Sequence, residues 1–596
     1  MRSTFSGLNT MVRGIFTHQL ELDTTGHNIT NANSEGYSRQ QVRRGTTLDY
    51  HQPTTFGGVN VGTGVEPAAV NRARNLYADK QYWSLNSQHE YYKVLQTNYD
   101  KVESVFNDST DTGIQSYMER FFKSWQDLST SASTSANRVT VLEQAKNLVD
   151  SIQSAAQNLQ QEIEFQYEEM LTGLNEVNNI TSRIVELNQQ IMVQESTGGK
   201  ANDLRDSRDL EVDKLSKYLP VTVYEDSETG MYSVVADGLT IVSDLDRCTL
   251  GTHDTNGVNN AGVYYGVADH YIKVDVAETI FEPSTGAFRA YREAINTNKQ
   301  YINDLANISA FLLSTFNQQH QQGVGIDDDA TTGQNFFGNS NTTYEYEWSD
   351  LLRTTTIKAT YYDGIVYDET TDSEVYKPGL VSRTSIEAID EGDPSKGNYV
   401  KVTSSGRGDI VQREDLDGTM KDTLTLSGMQ IIGALSVSSL LSSENGYKYV
   451  AARQWGLDTA GTSAVVNGTD DGQNAIWISA LFNTVQEETG YAVRNGYGTD
   501  FSYSRSIGSV SLNSYYARVM SDLGSDSESV DINEDACDNV LEQVVNWRSE
   551  TAGVDWNEEL TNMLKFQKGY VACARCLTTM DEMLDRLINS TGVVGR

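Results

Sequence analysis

The chain has 596 residues, with 82 acidic against 45 basic side chains and a formal net charge of −37. That length exceeds what one hydrophobic core serves, so several domains are expected. So acidic a surface argues against nucleic acid and against an anionic membrane as partners, because binding phosphates needs a basic face.

The first element is an amphipathic helix over residues 5–32. Phe5, Leu8, Val12, Ile15, Gln19, Leu22, Gly26 and Ile29 step alternately by three and four, which puts them on one seam of a helix, as in a coiled coil. The start, Met1 to Thr10, has no charged n-region followed by an apolar run, so no cleavable secretory signal is expected. The helix ends in Asn31, Ala32, Asn33, Ser34, Glu35, Gly36, a turn-rich stretch. Residues 33–70, with Pro53, Pro67 and several glycines, read as an extended connector with short strands.

Helical character returns near residue 72. Its clearest ladder is Ala145, Val149, Ile152, Ala156, Leu159, Ile163, Gln166, Met170, Gly173, Val177, Ile180, Ile184, Leu187, Ile191, a rod element of roughly 70 Å that ends at Gly198 and Gly199. A second helix runs to Tyr218 and stops at Pro220. Val221, Val223, Tyr224, Tyr232, Val234, Val235, Ile241 and Val242 make short strand-like runs between Gly and Asp turns, a small β-insertion. Phe288, Tyr291, Ile295, Asn298, Ile302, Leu305, Ser309, Leu312 and Phe316 form another helical ladder, expected to pack on the 145–191 helix. Residues 323–470 are rich in Gly, Asp and Thr with β-branched and tyrosine runs, a larger β-insertion. Helices return from about 473, including one over 536–550. The chain closes on a second narrow seam: Met563, Phe566, Tyr570, Cys573, Leu577, Met580, Leu584 and Leu587. No run of about 18 apolar residues occurs, so no membrane-spanning helix is expected.

The expected fold is therefore multidomain α+β with a nested layout. Residues 1–70 with 556–596 form a terminal helical assembly domain with its connector. Residues 71–220, 284–322 and 471–555 form a rod of long helices. Mainly-β domains are inserted at 221–283 and 323–470. Two sticky terminal helices, far apart in sequence, can pair with each other and with copies or relatives of the chain, which points to assembly rather than catalysis.

Motifs of chemistry are weak by comparison. Asp531, Asn533, Asp535 and Glu542 match positions 1, 3, 5 and 12 of a calcium loop, but Ala536 stands where the sharp turn needs Gly. Asn533 or Asp535 capping a following helix is the preferred reading. Cys573 and Cys576 spell CxxC, yet Cys573 holds a seam position, so core packing is preferred to redox chemistry. Cys248 and Cys537 complete the four cysteines, a set with no disulfide framework. His253, His270 and His320 have no second His or Cys at ligand spacing. Gly62-Thr63-Gly64 and Gly323-Val324-Gly325 lack the strand and helix of a dinucleotide site. No cofactor, metal or catalytic set is expected.

The stretch His27, Asn28, Ile29, Thr30, Asn31, Ala32, Asn33, Ser34, Glu35, Gly36, Tyr37, Ser38, Arg39 resembles the N-terminal signature of the bacterial flagellar axial proteins, the rod, hook and hook-associated proteins. The opening Ser3 to Leu8 and the C-terminal run Asn557 to Leu560, Leu564 to Gln567, Tyr570 and Asp581 to Leu584 resemble the hook-associated members. So do Asn317, His320, Gly323, Asp327, Gly333, Phe336, Phe337 and Asp471 to Ala475. One departure is Thr551, Ala552, Gly553, Val554, where that family has a Ser-rich Ser-Gly-Val turn; the turn glycine is kept.

The resemblance implies a non-catalytic adaptor at the hook–filament junction. It implies assembly with copies of itself, with hook protein and with the next hook-associated protein. It also implies a type III export chaperone at the C-terminal helix and an extracellular place reached through the flagellar export apparatus. The implied axial-family motif residues are His27, Asn28, Asn31, Asn33, Gly36, Tyr37 and Arg39. Two other readings stay open: another axial protein such as hook protein, or a secreted enzyme or carbohydrate-binding protein with its site in the β-insertions.

Overall fold

The structure is a computed structural model of the full chain. It describes residues 6–590 except 55–56, 107–111, 255–269, 276, 278, 332–333 and several linking segments between 339 and 506; for most of 342–425 only the backbone is described. Phe5 and Gly333 lie outside the described residues.

The chain is multidomain α+β. It begins with helix α1 (Ser6–Asn31) and a connector of two hairpins. The first pairs β1 (Gln40–Thr46) with β4 (Val65–Arg72), and the second, nested inside it, pairs β2 (Tyr50–Thr54) with β3 (Gly57–Val61). The rod follows as α2 (Leu76–Phe106), α3 (Ile114–Thr130), α4 (Ser135–Glu195) and α5 (Asn202–Tyr218). The expected long helix is longer than its apolar ladder: α4 has 61 residues, about 90 Å at a rise of about 1.5 Å per residue.

Every ladder position from Ala145 to Ile191 except Leu187 is buried, Gln166 and Gly173 included. Gln166 remains polar because its side-chain amide reaches Glu162 at 2.7 Å. Gly173 is where Tyr218 and Phe288 come closest; a Cβ there would lie 2.8 and 2.9 Å from their rings. The partner ladder forms α6 (Ala287–Phe311), which packs along α4 and ends in a π-helical turn, Leu312–Phe316, before α7 (Asn317–Gln321).

Between α5 and α6 lie the sheet β5 (Val221–Glu225), β6 (Tyr232–Ala236), β7 (Leu239–Ser243), β8 (Asp246–Arg247) and the sheet β9 (Leu250–Asp254), β10 (His270–Val274), β11 (Thr279–Ile280). The larger insertion carries two three-stranded antiparallel ladders, β12 (Thr342–Asp350), β13 (Arg353–Asp368), β14 (Ser373–Thr384) and β15 (Tyr399–Ser404), β16 (Asp409–Glu414), β17 (Met420–Thr425). Helix α8 (Met429–Ala434) and hairpin β18 (Trp455–Leu457), β19 (Ala464–Val466) follow, then α9 (Gln473–Ala480). The insertion has a clipped neck. Phe337 bridges Val437, and the amides of Gly338 and Ser438 donate to the carbonyls of Ser436 and Phe336 at 2.7 and 2.9 Å.

Two expectations for 471–555 change. A hairpin, β20 (Tyr491–Val493) with β21 (Phe501–Tyr503), interrupts the helices. The last rod helix, α10 (Leu512–Ala552), then starts 24 residues before the expected Ala536 and is capped by Ser511, whose hydroxyl accepts the Ser514 amide. Asp531, Asn533, Asp535 and Glu542 therefore sit inside a continuous helix, as neither calcium loop nor cap, and Asn533 donates to the Ser529 carbonyl one turn back. Among the described residues no helix is long and apolar enough to cross a membrane, and no group of three metal-ligating side chains occurs. Helix α11 (Trp556–Ser590) ends the chain.

The two internal runs quoted above meet at one knot at the base of the larger insertion. Asn317 accepts the amides of Phe336 and Phe337 at 3.0 and 2.9 Å and donates to the Phe337 carbonyl at 2.7 Å. Phe336 and Phe337 pack with Phe121, Trp125 and Phe316. Gln319 donates to Asn474, which donates to the Ala451 carbonyl.

Buried His320 is held neutral between the Gln334 carbonyl at Nδ1, 2.8 Å, and the Ala451 amide donating to Nε2, 3.0 Å. Burial pushes its pKa down to about 4. The unfolded chain, with an ordinary His, binds a proton that the folded chain refuses between pH 4 and about 6.5, so stability falls as the pH drops through that window. The expected loss is about 3 kcal/mol at the knot by pH 4. Hydrogen exchange of the 317–338 and 447–475 amides against pH checks it, and His320→Gln removes the slope.

Candidate functional site

Helices α1 and α11 run antiparallel and touch along their length, so the two ends of the chain are one unit. The contact descends in heptad steps. Gly7 faces Met580, Gly14 faces Cys573, and Asn28 meets Glu559, while Gly569 lies under the His18 ring. The buried positions of α1 are Gly14, Thr17, Glu21, Thr25 and Asn28. This corrects the expected seam: the apolar ladder Leu8, Val12, Ile15, Leu22 and Ile29 is only half-buried. The physical reason is that α1 is gripped on two sides, by α11 and by the β1–β4 hairpin, and the wedge between them falls on its polar stripe. There Glu21 pairs with Arg44 and with His18, and Arg44 lies over the Phe566 ring.

On α11, Met563, Phe566, Leu577, Met580 and Leu584 are half-buried, whereas Tyr570 and Leu587 are exposed. Apolar side chains remain in solvent on both helices, Phe16 on α1 and Leu560, Leu564, Val571, Met583 and Ile588 on α11, with Leu564 58 % exposed. Cys573 and Cys576 are both free thiols; burial pushes that of Cys573 up, which opposes thiolate chemistry.

The 27–39 motif is the clasp that locks this pair. Gly36 turns the chain after α1 with φ +75°, a backbone that only glycine adopts freely. The turn brings Tyr37 to Arg39 back alongside the last turn of the helix. Asn28 then fills all four of its hydrogen-bond positions. It donates to the Gln40 carbonyl and to Glu559, and accepts the Gln40 amide and the Tyr37 hydroxyl, at 2.8–3.1 Å. His27 Nδ1 reaches the same hydroxyl at 3.0 Å. Burial, then the charges of Asp203, Asp206 and Glu559, push the Tyr37 pKa up, so the phenol stays a donor. Arg39 holds Glu559 at 2.7 Å and Glu558 at 2.6 Å, and its amide donates to the Ala552 carbonyl just before α11. Asn31 caps backward onto the His27 carbonyl, and Asn33 is exposed.

Beside the clasp lies an ionic joint that the sequence reading missed. Asp206, Asp209 and Asp213 line one face of α5. Arg72, at the end of β4, binds Asp206 and Asp209 at 2.7 Å each. Arg74 binds Asp79 at 2.7 Å and Asp209 at 3.1 Å. Arg548, on α10, binds Asp79 at 2.9 Å and Asp213 at 2.8 Å, and Trp83 donates to Asp213 at 2.6 Å. The Ser38 amide, inside the motif, donates to Asp206. Burial pushes Asp206 and Asp213 above the ordinary carboxylate range despite their arginines. Asp209, equally buried, is held below it by Arg74, Arg72 and Arg208. The available signal was the one-faced spacing of the three aspartates opposite an Arg-x-Arg pair.

Two polar clefts flank the clasp. One, of about 320 Å³, opens between α1, β1 and α11 beside Glu21, Arg39 and Glu559; the other, of about 530 Å³, lies beside His27, Lys200 and Asp203. The arrangement is one for holding chain segments together.

Glu559→Ala leaves Arg39 and Asn28 short of a buried partner. The expected cost is about 2–3 kcal/mol, confined to the clasp. Hydrogen exchange should quicken over 28–40 and 556–566 and stay unchanged in α4, which the clasp does not touch.

Known proteins carry the same organisation. Residues 99–337 match the family described as the flagellar hook-associated protein FlgK helical domain, and 548–590 match the flagellar basal body rod FlgEFG protein C-terminal family. The flagellar hook-associated protein 1 of Bacillus subtilis (strain 168) is 25% identical over the whole of both chains. Those of Salmonella typhimurium (strain LT2) and Escherichia coli (strain K12) are 23% and 24% identical over 98% of this chain and 99% of theirs. The solved structure of the flagellar hook junction protein FlgK from Burkholderia pseudomallei has a similar fold, with a TM-score of 0.51 at 15% identity over 79% of this chain and 99% of that one. With matches at both the rod and the terminal helix and relatives spanning its length, the chain is similar throughout to the flagellar hook-associated protein 1 of these bacteria.

Proposed function

We propose that this chain is a building block of the bacterial flagellum, an adaptor at the hook–filament junction that assembles through its paired terminal helices. Its relatives are structural flagellar proteins, and likeness to them along the whole chain carries the flagellar assignment. The observation that supports assembly through the ends is the terminal pair itself. Its inner face is fixed by the clasp, while Phe16, Leu564, Val571, Leu587 and Ile588 stay in solvent. Apolar side chains repeated along two adjoining helices mark a protein-binding surface. Different faces on one unit favour head-to-tail packing, which builds rings and tubes.

In this reading 1–70 with 556–596 is the assembly domain, the helices between them the rod, and the insertions at 221–283 and 323–470 outer domains. The assembly residues are Leu8, Val12, Ile15, Leu22, Ile29, Met563, Phe566, Tyr570, Leu577, Met580, Leu584 and Leu587, with the 27–39 motif setting their geometry. The neighbours are copies of the chain, hook protein below and the next hook-associated protein above. An export chaperone covers the C-terminal helix before assembly, and the flagellar type III apparatus delivers the chain outside the cell. No enzymatic step belongs to this role.

A strain lacking the gene is expected to keep its hooks and shed unattached flagellin, seen by electron microscopy; normal filaments on that strain would overturn the assignment. Leu564→Asp is expected to leave the melting of the monomer within about 0.5 kcal/mol of the parent, because the side chain is exposed there. It is expected to abolish motility, because an assembled interface would bury an unpaired carboxylate at a cost of several kcal/mol. Gln567→Asp, also exposed on α11, measures how far charge alone matters.

A further inference from the structure

The net charge of −37 is not spread over the chain. Residues 1–75 and 556–596, which hold α1, the connector and α11, contain ten acidic and twelve basic side chains. The remaining 480 residues contain 72 acidic and 33 basic ones, a net of −39. The contrast is sharp where the two parts adjoin. Helix α10 returns to the terminal unit with eight acids and no base between Val519 and Trp547: Asp522, Asp526, Glu528, Asp531, Glu534, Asp535, Asp538 and Glu542. Along this stretch it packs on α2 by one face and leaves the other in solvent. The terminal unit pairs its buried acids, and one exposed one, internally: Glu21 on Arg44, Glu559 and Glu558 on Arg39. Its exposed apolar side chains therefore lie on a surface of almost no net charge.

We propose that this partition makes the terminal unit the one part of the chain that another copy can approach closely, and that ionic strength sets how readily copies join. The proposal rests on the assembly reading above and adds its regulation. Two copies brought together through neutral ends bring two bodies of rod plus insertions, each of net −39, side by side. Like charge of this size keeps a protein dispersed and opposes compact states. The repulsion reaches about 30 Å at 0.01 M salt and about 8 Å at physiological salt, so ordinary saline removes most of it while dilute buffer does not. The apolar contact between ends is indifferent to moderate salt by comparison. Free copies are thus held apart by their rods and insertions, and a growing end is joined only where counterions screen them.

The test is sedimentation velocity on the purified full chain at fixed concentration, in sodium chloride from about 0.01 to 0.3 M, spanning the range in which screening changes. The association constant is expected to rise at least roughly tenfold between about 0.01 and 0.15 M, and magnesium chloride is expected to act at lower ionic strength. A variant with the eight α10 acids changed to Asn or Gln is expected to associate at lower salt than the parent, with its circular dichroism showing that the helix is retained. Association that is strongest in dilute buffer and falls as salt is added would overturn the proposal while leaving assembly through the ends intact, because ion pairs between copies would then dominate. An unchanged salt midpoint in the folded variant would overturn it too. A chain that never associates at any salt would overturn both this proposal and the assembly reading.

Discussion

Everything in this molecule hangs on the carboxylate–guanidinium joint at the base of the rod. Five stretches of chain converge there: the end of β4, the starts of α2 and α5, the end of α10 and the motif after α1. Each contributes a charge or a backbone amide to the set around Asp79, Asp206, Asp209 and Asp213. An ion removed from water is costly unless it is paired and hydrogen-bonded. Buried Asp206 and Asp209, with half-buried Asp213 on the same helix face, are tolerated only when Arg72, Arg74 and Arg548 arrive together. The joint therefore acts as an all-or-none lock: the terminal unit cannot settle at another angle to the rod without leaving a buried charge alone. Apolar contacts, which are indifferent to direction, could not impose that angle.

The clasp extends the same logic to the helix pair. A seam of Leu and Ile on α1 facing a seam on α11 would hold the ends together but would use up the side chains available for neighbours. Instead α1 turns a polar stripe inward, with Glu21 and Asn28 fully partnered, and leaves its apolar ladder half-buried beside it. The polar contacts that hold the helix pair together thereby lie on a different stripe of the helix from its apolar ladder.

At the far end, the knot around Asn317, His320 and Phe336 performs for the outer insertion what the joint performs for the termini. Asn317 and Asn474 replace missing backbone partners where the chain leaves the rod, and the aromatic cluster fills the space beneath. Both fixed points are polar clusters built on long helices, and α4 runs beside both. The length of α4 links the base of the larger insertion to the terminal helix pair.

The amino-acid sequence alone determined the long elements. The three–four ladders over 145–191 and 288–316 have no other way to hide their apolar side chains, and α4 and α6 bury them against each other. The 27–39 stretch was legible as a turn because Gly36 and its asparagines tolerate backbone that other residues avoid. What local pattern could not supply was partnership at a distance. The start of α10 is not marked in the local pattern, because Asp, Ser and Gly between 521 and 529 are weak helix formers, and packing along α2 makes them helix. The face that α1 buries was decided by β1, β4 and α11 closing on it from two sides, so an apolar ladder that is sufficient for a coiled coil in isolation is left half-buried here. The aspartates of α5 carried no meaning in isolation, since an acidic side chain looks solvated until arginines hundreds of residues away are brought beside it. Periodicity is a property of neighbours in sequence; burial of charge is a property of neighbours in space, and only the tertiary structure chose them.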